Sequence, residues 1–221
     1  MQSEAATSYV PALGFKFLTP LYDPVVAVTT REQTFKNHLV DQANIRPEHS
    51  VLDLGCGTGT LAILLKQTQF RARIVGLDAD EEVLAKARRK ALDAGADVEF
   101  DQGFSDRLPY PDQSFDRVVS SLFLHHLTPT QKRVTLREVV RVLRPGGEVH
   151  IADWGRARGP LMRALFLGIQ LLDGFENTRE HVEGRLPELL SSARLTRIST
   201  REEFSTLYGT LSLYSATRSV C

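Results

Sequence analysis

From residue 50 onward, short apolar runs alternate with amphipathic stretches. Ser50–Leu54, Arg73–Leu77, Val98–Phe100, Phe115–Leu122 and Glu148–Asp153 read as strands, the last through the alternation of Val149 and Ile151. Helices are expected between them over Thr60–Gln67, over Glu81–Ala94 and from Thr128-Pro129 onward. On Glu81–Ala94, Leu84, Ala87 and Ala91 share one face, while Lys86, Arg88, Arg89 and Lys90 place charge elsewhere around the turn. Asp80 stands where a helix N-cap is wanted, and Thr128 followed by Pro129 repeats the preferred cap-then-proline order. Leu136, Val140 and Leu143 carry the buried stripe of that later helix, which Pro145-Gly146-Gly147 is expected to stop in a tight turn. Upstream, Met1–Pro24 reads as an irregular cap, and Thr30–Val40 as a helix with Phe35 and Leu39 on one face.

Strands that alternate with helices imply a doubly wound α/β fold with a parallel sheet covered on both faces. The tail departs from that rhythm. Leu195–Ser205 and Leu211–Thr217 read as strands separated only by Thr206–Thr210. So short a link cannot hold a crossover helix, so the pair is expected to form an antiparallel hairpin.

Composition narrows the class without naming a function. The chain has 221 residues, 42% hydrophobic and 24% charged, which suits one globular domain rather than a disordered, collagenous or membrane protein. Lysine plus arginine equals aspartate plus glutamate at 27 each. No overall field therefore draws nucleic acid, and no nucleic-acid partner is expected. The two cysteines, Cys56 and Cys221, suggest no disulfide framework and suit a reducing, cytoplasmic location. Met1–Phe15 lacks Lys and Arg and is broken by Pro11, so it does not read as a secretion signal. The most apolar window, Leu161–Phe175, contains Arg163, Gln170 and Asp173 and is too short for a membrane span.

The strongest local signal is Asp53-Leu54-Gly55-Cys56-Gly57-Thr58-Gly59. Glycines after a strand permit a tight turn and let a ligand approach bare backbone amides. The following helix offers unpaired N–H groups and the positive end of its dipole to a carboxylate. Asp53, at the strand end, can fix the loop and attract an ammonium group. Downstream, Asp78 closes the next strand at nearly the spacing at which an acidic residue meets ribose hydroxyls, while Asp80 is left to cap the helix. A dinucleotide and S-adenosylmethionine both satisfy these two features. The dinucleotide fingerprint, however, wants a glycine three residues after Gly57, where Thr60 stands, and its six-stranded parallel sheet lacks a terminal hairpin. Both departures favour S-adenosylmethionine.

VLDLGCGTG, IVGLDAD, LPYPDQSFDRVVSSLFLHHL and LRPGGEVHIADW, in this order and spacing, resemble the class I S-adenosylmethionine-dependent methyltransferases. Within that class they are similar to the group containing the ubiquinone and menaquinone C-methyltransferases. The similarity runs from about Ser50 to Trp154 and weakens over Gly184–Leu190 and the closing strands. It implies a Rossmann-like, doubly wound sheet of seven strands, mostly parallel with a C-terminal antiparallel hairpin. It further implies that Asp53, Gly55, Cys56, Gly57 and Gly59 hold the methionine end and that Asp78 and Ala79 hold the ribose. Adenine is expected near Gln102–Ser105, with Gly103 and Phe104 in contact. Relatives carry an acidic residue at the position of Phe104, so here stacking, backbone amides or Gln102 would replace its hydrogen bond. Ser120 and Ser121 match positions flanking the sulfonium, and Tyr22 matches a tyrosine that closes over the cofactor.

On this reading residues 1–221 form one methyltransferase domain. It comprises an N-terminal cap (1–45), a cofactor-binding core (46–154), an acceptor-site insertion (155–194) and a closing hairpin (195–221). The expected activity is methyl transfer to a small, hydrophobic molecule by in-line displacement, in which the protein mainly aligns the reactants. The candidate bases are His125 and His126, which follow the fourth strand; either could instead pack or cap the next helix. Trp154 either lines the acceptor pocket or covers the sheet edge. Leu161–Phe175 is either a helix packed on the core or a lid over the acceptor. No metal site is expected, since no pairing of cysteines or carboxylates supports the two adjacent histidines. The alternatives are an NAD-dependent oxidoreductase and a non-catalytic module that only binds S-adenosylmethionine.

Overall fold

A computed structural model describes residues 32–156, 159, 162–163, 166–167, 170–171, 174–206 and 209–220. Helix α1 (Glu32–Ala43) precedes strand β1 (Ser50–Leu54), α2 (Thr60–Thr68), β2 (Arg73–Asp78), α3 (Glu81–Asp93) and β3 (Glu99–Gln102). Strand β4 (Phe115–Ser121) leads through a 3-10 turn (Leu124–His126) to α4 (Pro129–Val142) and β5 (Leu143–Trp154). Helices α5 (Phe175–Val182) and α6 (Leu186–Ser192) come before β6 (Leu195–Ser205) and β7 (Thr210–Arg218).

The seven strands lie in the order β3-β2-β1-β4-β5-β7-β6. From β3 to β5 every pairing is parallel, whereas β7 runs antiparallel to both β5 and β6. This is the mostly parallel, doubly wound sheet with a closing hairpin that the sequence predicts. β1 is buried along its whole length. Val51 packs into one cluster with Phe35, Leu39, Leu61, Leu65, Leu84 and Ala87. Leu52 and Leu54 face the other way, into a cluster with Leu136, Val139, Leu189 and Leu190. Helices α1–α3 thus cover one face and α4 with α6 the other, and a strand buried on both faces reads as a continuous apolar run.

Local signals fix the helix starts. Asp80 accepts from the N–H groups of Glu82 at 2.9 Å and Val83 at 3.4 Å, capping α3. At α4, Thr128 Oγ1 accepts from the Gln131 N–H at 3.3 Å and Gln131 Oε1 accepts from the Thr128 N–H at 3.0 Å, closing a capping box ahead of Pro129. The end of α4 differs from expectation: Leu143, read as part of its buried stripe, lies beyond the helix, and Val139 and Val142 rather than Val140 are buried with Leu136. Pro145-Gly146-Gly147 is not a turn between elements but part of β5, which begins at Leu143. Leu143, fully buried, pairs with Phe115, and the register then slips before Arg117 meets Glu148. Gly146, with φ of 76°, lies in that irregular stretch, where a bulge keeps Leu143 in the core.

Between β1 and β4 the direction of winding reverses, since β2 and β3 lie on one side of β1 and β4, β5 and β7 on the other. In such sheets a crevice opens at the carboxyl ends of the strands at this point. Among the described residues no helix is long and apolar enough to cross a membrane.

Candidate active site

At the carboxyl end of β1 the chain turns sharply, and the N–H groups of Gly55 and Cys56 both donate to the Leu77 carbonyl, at 2.9 and 3.0 Å. Gly55 has φ of 71°, and a Cβ there would lie 2.4 Å from the Phe123 ring. Only a glycine lets that ring close beneath the turn. Gly57 has φ of 54°, but nothing lies within 4 Å of where a Cβ would stand. Its side faces open space, so backbone conformation and not crowding requires the glycine. Gly59, with φ of 75°, opens α2, whose first turn has no side-chain cap. The N-cap position of α2 therefore supplies no side-chain acceptor to the first amides of the helix.

Two carboxylates flank this loop. Asp53 is 1% exposed, and neither of its oxygens makes a full hydrogen bond among the described residues, although the Ala62 N–H approaches it. Burial pushes its carboxyl up to about 7, against the pull of the Lys36 ammonium and the Ala62 N–H, while Asp78 adds a smaller push. Asp78 is better provided for: Oδ2 accepts from the Gly57 N–H at 2.9 Å and Oδ1 from the Asp80 N–H at 3.1 Å. Burial still raises its carboxyl above the ordinary range, and these N–H groups oppose the rise. Each oxygen retains a further lone pair for a hydroxyl donor. Cys56, 8% exposed between the two acids, has its thiol pushed well up by burial and by their charge. It is a packed thiol, not a nucleophile.

A second cluster lies where β4 and β5 end. Leu122 takes φ of 53° and donates its N–H to the Ala152 carbonyl at 2.8 Å, which bends the chain into the 3-10 turn. His125, 3% exposed, is thereby set against Asp153, which is fully buried. Their Nδ1 and Oδ1 atoms are 2.7 Å apart. Asp153 also accepts from the backbone N–H groups of Trp154 at 2.7 Å and His125 at 3.3 Å. Burial opposes its ionisation, yet His125 and His181 hold the carboxyl well below its usual range. With Asp153 ionised, Nδ1 of His125 carries the hydrogen and Nε2 the basic lone pair. The His126 ring lies 4.0 Å from that of His125 and the Trp154 ring 6.3 Å from it. No group of three His, Cys, Asp or Glu among the described residues is arranged to hold a metal ion.

Residues 51–147 match the model of a family described as a methyltransferase domain. The chain is 34% identical over 132 residues to a ubiquinone/menaquinone biosynthesis C-methyltransferase of Bdellovibrio bacteriovorus, covering 60% of this chain and 55% of that protein. It is 33% identical over 142 residues to a demethylmenaquinone methyltransferase of Thermus thermophilus, covering 63% and 64%. The crystal structure of YcgJ from Bacillus subtilis superposes with a TM-score of 0.64 at 21% identity, covering 83% of this chain and 97% of that one, and shares the fold. Over its cofactor-binding half the chain is thus similar to S-adenosylmethionine-dependent methyltransferases, and it shares their fold. It spans about half the length of the first of these curated relatives and somewhat more of the second.

The residues expected to hold the methionine and ribose ends of S-adenosylmethionine fit that group: a buried carboxylate with no full hydrogen bond among the described residues, the open side of Gly57 and a second acid at the end of β2. The stretch where adenine is expected is more sparsely furnished. Gln102 Nε2 donates to the Ala79 carbonyl at 3.1 Å and the Gly103 N–H to the Asp78 carbonyl at 3.0 Å. A Cβ on Gly103 would meet Leu77 at 3.0 Å. Phe104, 48% exposed, forms an isolated bridge with Arg107 and offers a ring face but no acceptor side chain. Ser120 reaches the strand end, but its hydroxyl donates to the Leu54 carbonyl at 2.9 Å. Tyr22 lies outside the described residues, as do Leu161, Leu165, Ile169 and Leu172 of the apolar window. Of that window, Phe166 is buried, its ring 5.6 Å from that of Trp154, while Leu167 and Leu171 are exposed.

Three residues of the site carry no signature in the sequence. Lys36, on the helix whose pattern shows only Phe35 and Leu39, is buried within electrostatic reach of Asp53 and paired with Glu32. Lys132 is 0% exposed, its Nζ donating to Glu180 Oε2 at 3.2 Å and to the Asn177 carbonyl. His181, on α5, lies beside Asp153 with Nε2 at 3.6 Å from Oδ2.

Proposed function

We propose that this chain transfers a methyl group from S-adenosylmethionine to a small, apolar molecule. The observation that carries the reading is Asp53. Its two buried oxygens, with no full hydrogen bond among the described residues and the Lys36 ammonium tied to Glu32, stand beside a glycine loop with an open side. An ammonium group is what such a carboxylate lacks, since a buried charge is stable only when paired. Asp53 would hold the amino group of the cofactor, the amides at the start of α2 its carboxylate, and Asp78 its ribose hydroxyls. When bound, S-adenosylmethionine supplies an electrophilic methyl on sulfonium sulfur.

The protein's own contribution is placement and proton handling. His125, with its Nδ1 hydrogen committed to Asp153, is oriented as a general base through Nε2 for an acceptor that must lose a proton. His126 and Trp154 would line the acceptor side of the crevice, and residues 155–194 would cover it. The printed names of the Bdellovibrio and Thermus relatives concern quinone biosynthesis, which supports a flat, apolar acceptor. The exposed Leu167, Leu171 and Phe175, four residues apart in sequence, agree with a segment that meets apolar material.

Turnover of methyl-labelled cofactor over a panel of quinols, phenols, amines and thiols tests the proposal. Label transfer to an apolar quinol or phenol, reduced at least about a hundredfold in His125→Ala, is expected. Silence across the panel in a protein that still binds S-adenosylhomocysteine would make the chain a binding module.

A further inference from the structure

Asp153 receives imidazoles from two distant parts of the chain. His125 comes from the turn after β4, and His181 from α5 in the segment between β5 and β6. The two rings stand 6.2 Å apart at 87°, with the carboxylate between them. His181 is 1% exposed, and neither of its ring nitrogens has a hydrogen-bond partner among the described residues. Every imidazole carries at least one N–H, and burying it unmet costs about 1–3 kcal/mol. Asp153 Oδ2, at 3.6 Å, is the acceptor to which Nε2 is presented.

The seat of α5 is built, not incidental. Lys132 of α4 donates to Glu180 and to the Asn177 carbonyl, and Asn177 Nδ2 donates to the His126 carbonyl at 3.2 Å. Arg133 stands 3.6 Å from the other Glu180 oxygen. These ties fix the residue next to His181 against the turn that bears His125.

We propose that His181 is a positioning residue that shares Asp153 with His125 and thereby sets the proton affinity of the base. The proposal rests on the reading of His125 given above. An Nε2–H turned toward Oδ2 answers part of the carboxylate's charge, so Asp153 pulls less strongly on the Nδ1 hydrogen of His125. His125 is then less basic than an imidazole with Asp153 to itself. If His181 takes up a proton, repulsion between the two imidazolium rings acts in the same direction. Because α5 belongs to the segment between β5 and β6, the strength of the base follows how that segment is seated.

Other charges face this cluster. Lys132 and Arg133 project from α4, Glu180 from α5 and His126 from the turn itself. From β7, the Tyr214 hydroxyl has its proton held by burial and by the charge of Asp153. All of them remain when residue 181 alone is changed.

Histidine-labelled protein, titrated by NMR without ligands, tests the coupling. In His181→Phe the His125 midpoint should rise by about 0.5–1 pH unit, and His181→Gln, which restores a donor, should bring it part of the way back. In the parent protein each ring should register the titration step of the other. For any acceptor that is turned over, the acid limb of the rate profile should move with the His125 midpoint. An unchanged midpoint in the folded variants, or a parent His125 signal blind to the His181 step, would overturn the proposal. The coupling is read in the free protein. A fully active His125→Ala enzyme would therefore refute the base without touching the measured link between the rings.

Discussion

A carboxylate at Asp53 is held where water cannot stabilise its ion. Its proton affinity in the folded chain rises from the ordinary carboxylate range to about 7. For an acid the consequence has a definite sign. Below about pH 4 both folded and unfolded chains are protonated here, and the group has no effect. As pH rises toward 7, the unfolded chain ionises and the folded chain does not, so the ligand-free fold loses stability, on the order of 4 kcal/mol by the time both forms are ionised. Asp53→Asn should therefore melt at a higher temperature than the parent at pH 8 without ligand. The same change should weaken S-adenosylhomocysteine binding about tenfold to a hundredfold, because a charge-assisted hydrogen bond of about 1.5–3 kcal/mol is lost. Thermal melts and titration calorimetry on one pair of proteins check both halves. A variant that is less stable and binds undiminished would contradict this role for Asp53.

At the scale of elements, α5 and α4 are joined by a buried ion pair. The Lys132 ammonium is pushed toward its neutral form by burial and held charged mainly by Glu180. Lys132→Met leaves Glu180 buried with, among the described residues, only Arg133 at 3.6 Å as a cation, and should cost about 3–5 kcal/mol in urea unfolding. Lys132→Met combined with Glu180→Leu should recover much of that loss, since no uncompensated charge remains. Thr128→Ala, which opens the capping box of α4, should cost about 1 kcal/mol by the same measurement. The two cases also differ in how readable they are. Thr128, Pro129 and Gln131 are near neighbours in sequence, so the start of α4 can be read directly. Lys132 and Glu180 are far apart, and a lysine that will be buried looks like any lysine on a helix face. His181 is hidden for the same reason.

Across the whole molecule, legibility follows the range of the forces involved. β1 and β2 are readable because burial on both faces writes an unbroken apolar run, and the β6–β7 pair because its link is too short for anything but a hairpin. Pro145-Gly146-Gly147 looks like a turn because locally it has turn chemistry; only the distant pairing of Leu143 with Phe115 draws it into β5. At the site, glycines and Asp78 announce themselves through spacing. Ser120 stands at the strand end where its motif puts it, but the engagement of its hydroxyl with Leu54 depends on tertiary register. The adenine end reads as altered from Phe104, and the structure sets a half-exposed ring there.

The proposed function makes one central requirement: the crevice at the ends of β1 and β4 must take S-adenosylmethionine. Titration calorimetry with S-adenosylhomocysteine and, separately, NADH tests it most directly. We predict one-site binding of S-adenosylhomocysteine with a dissociation constant of ~10 μM or tighter, about −7 kcal/mol, and no heat with NADH. A folded protein that ignores S-adenosylhomocysteine, or that binds NADH in its place, would contradict the account.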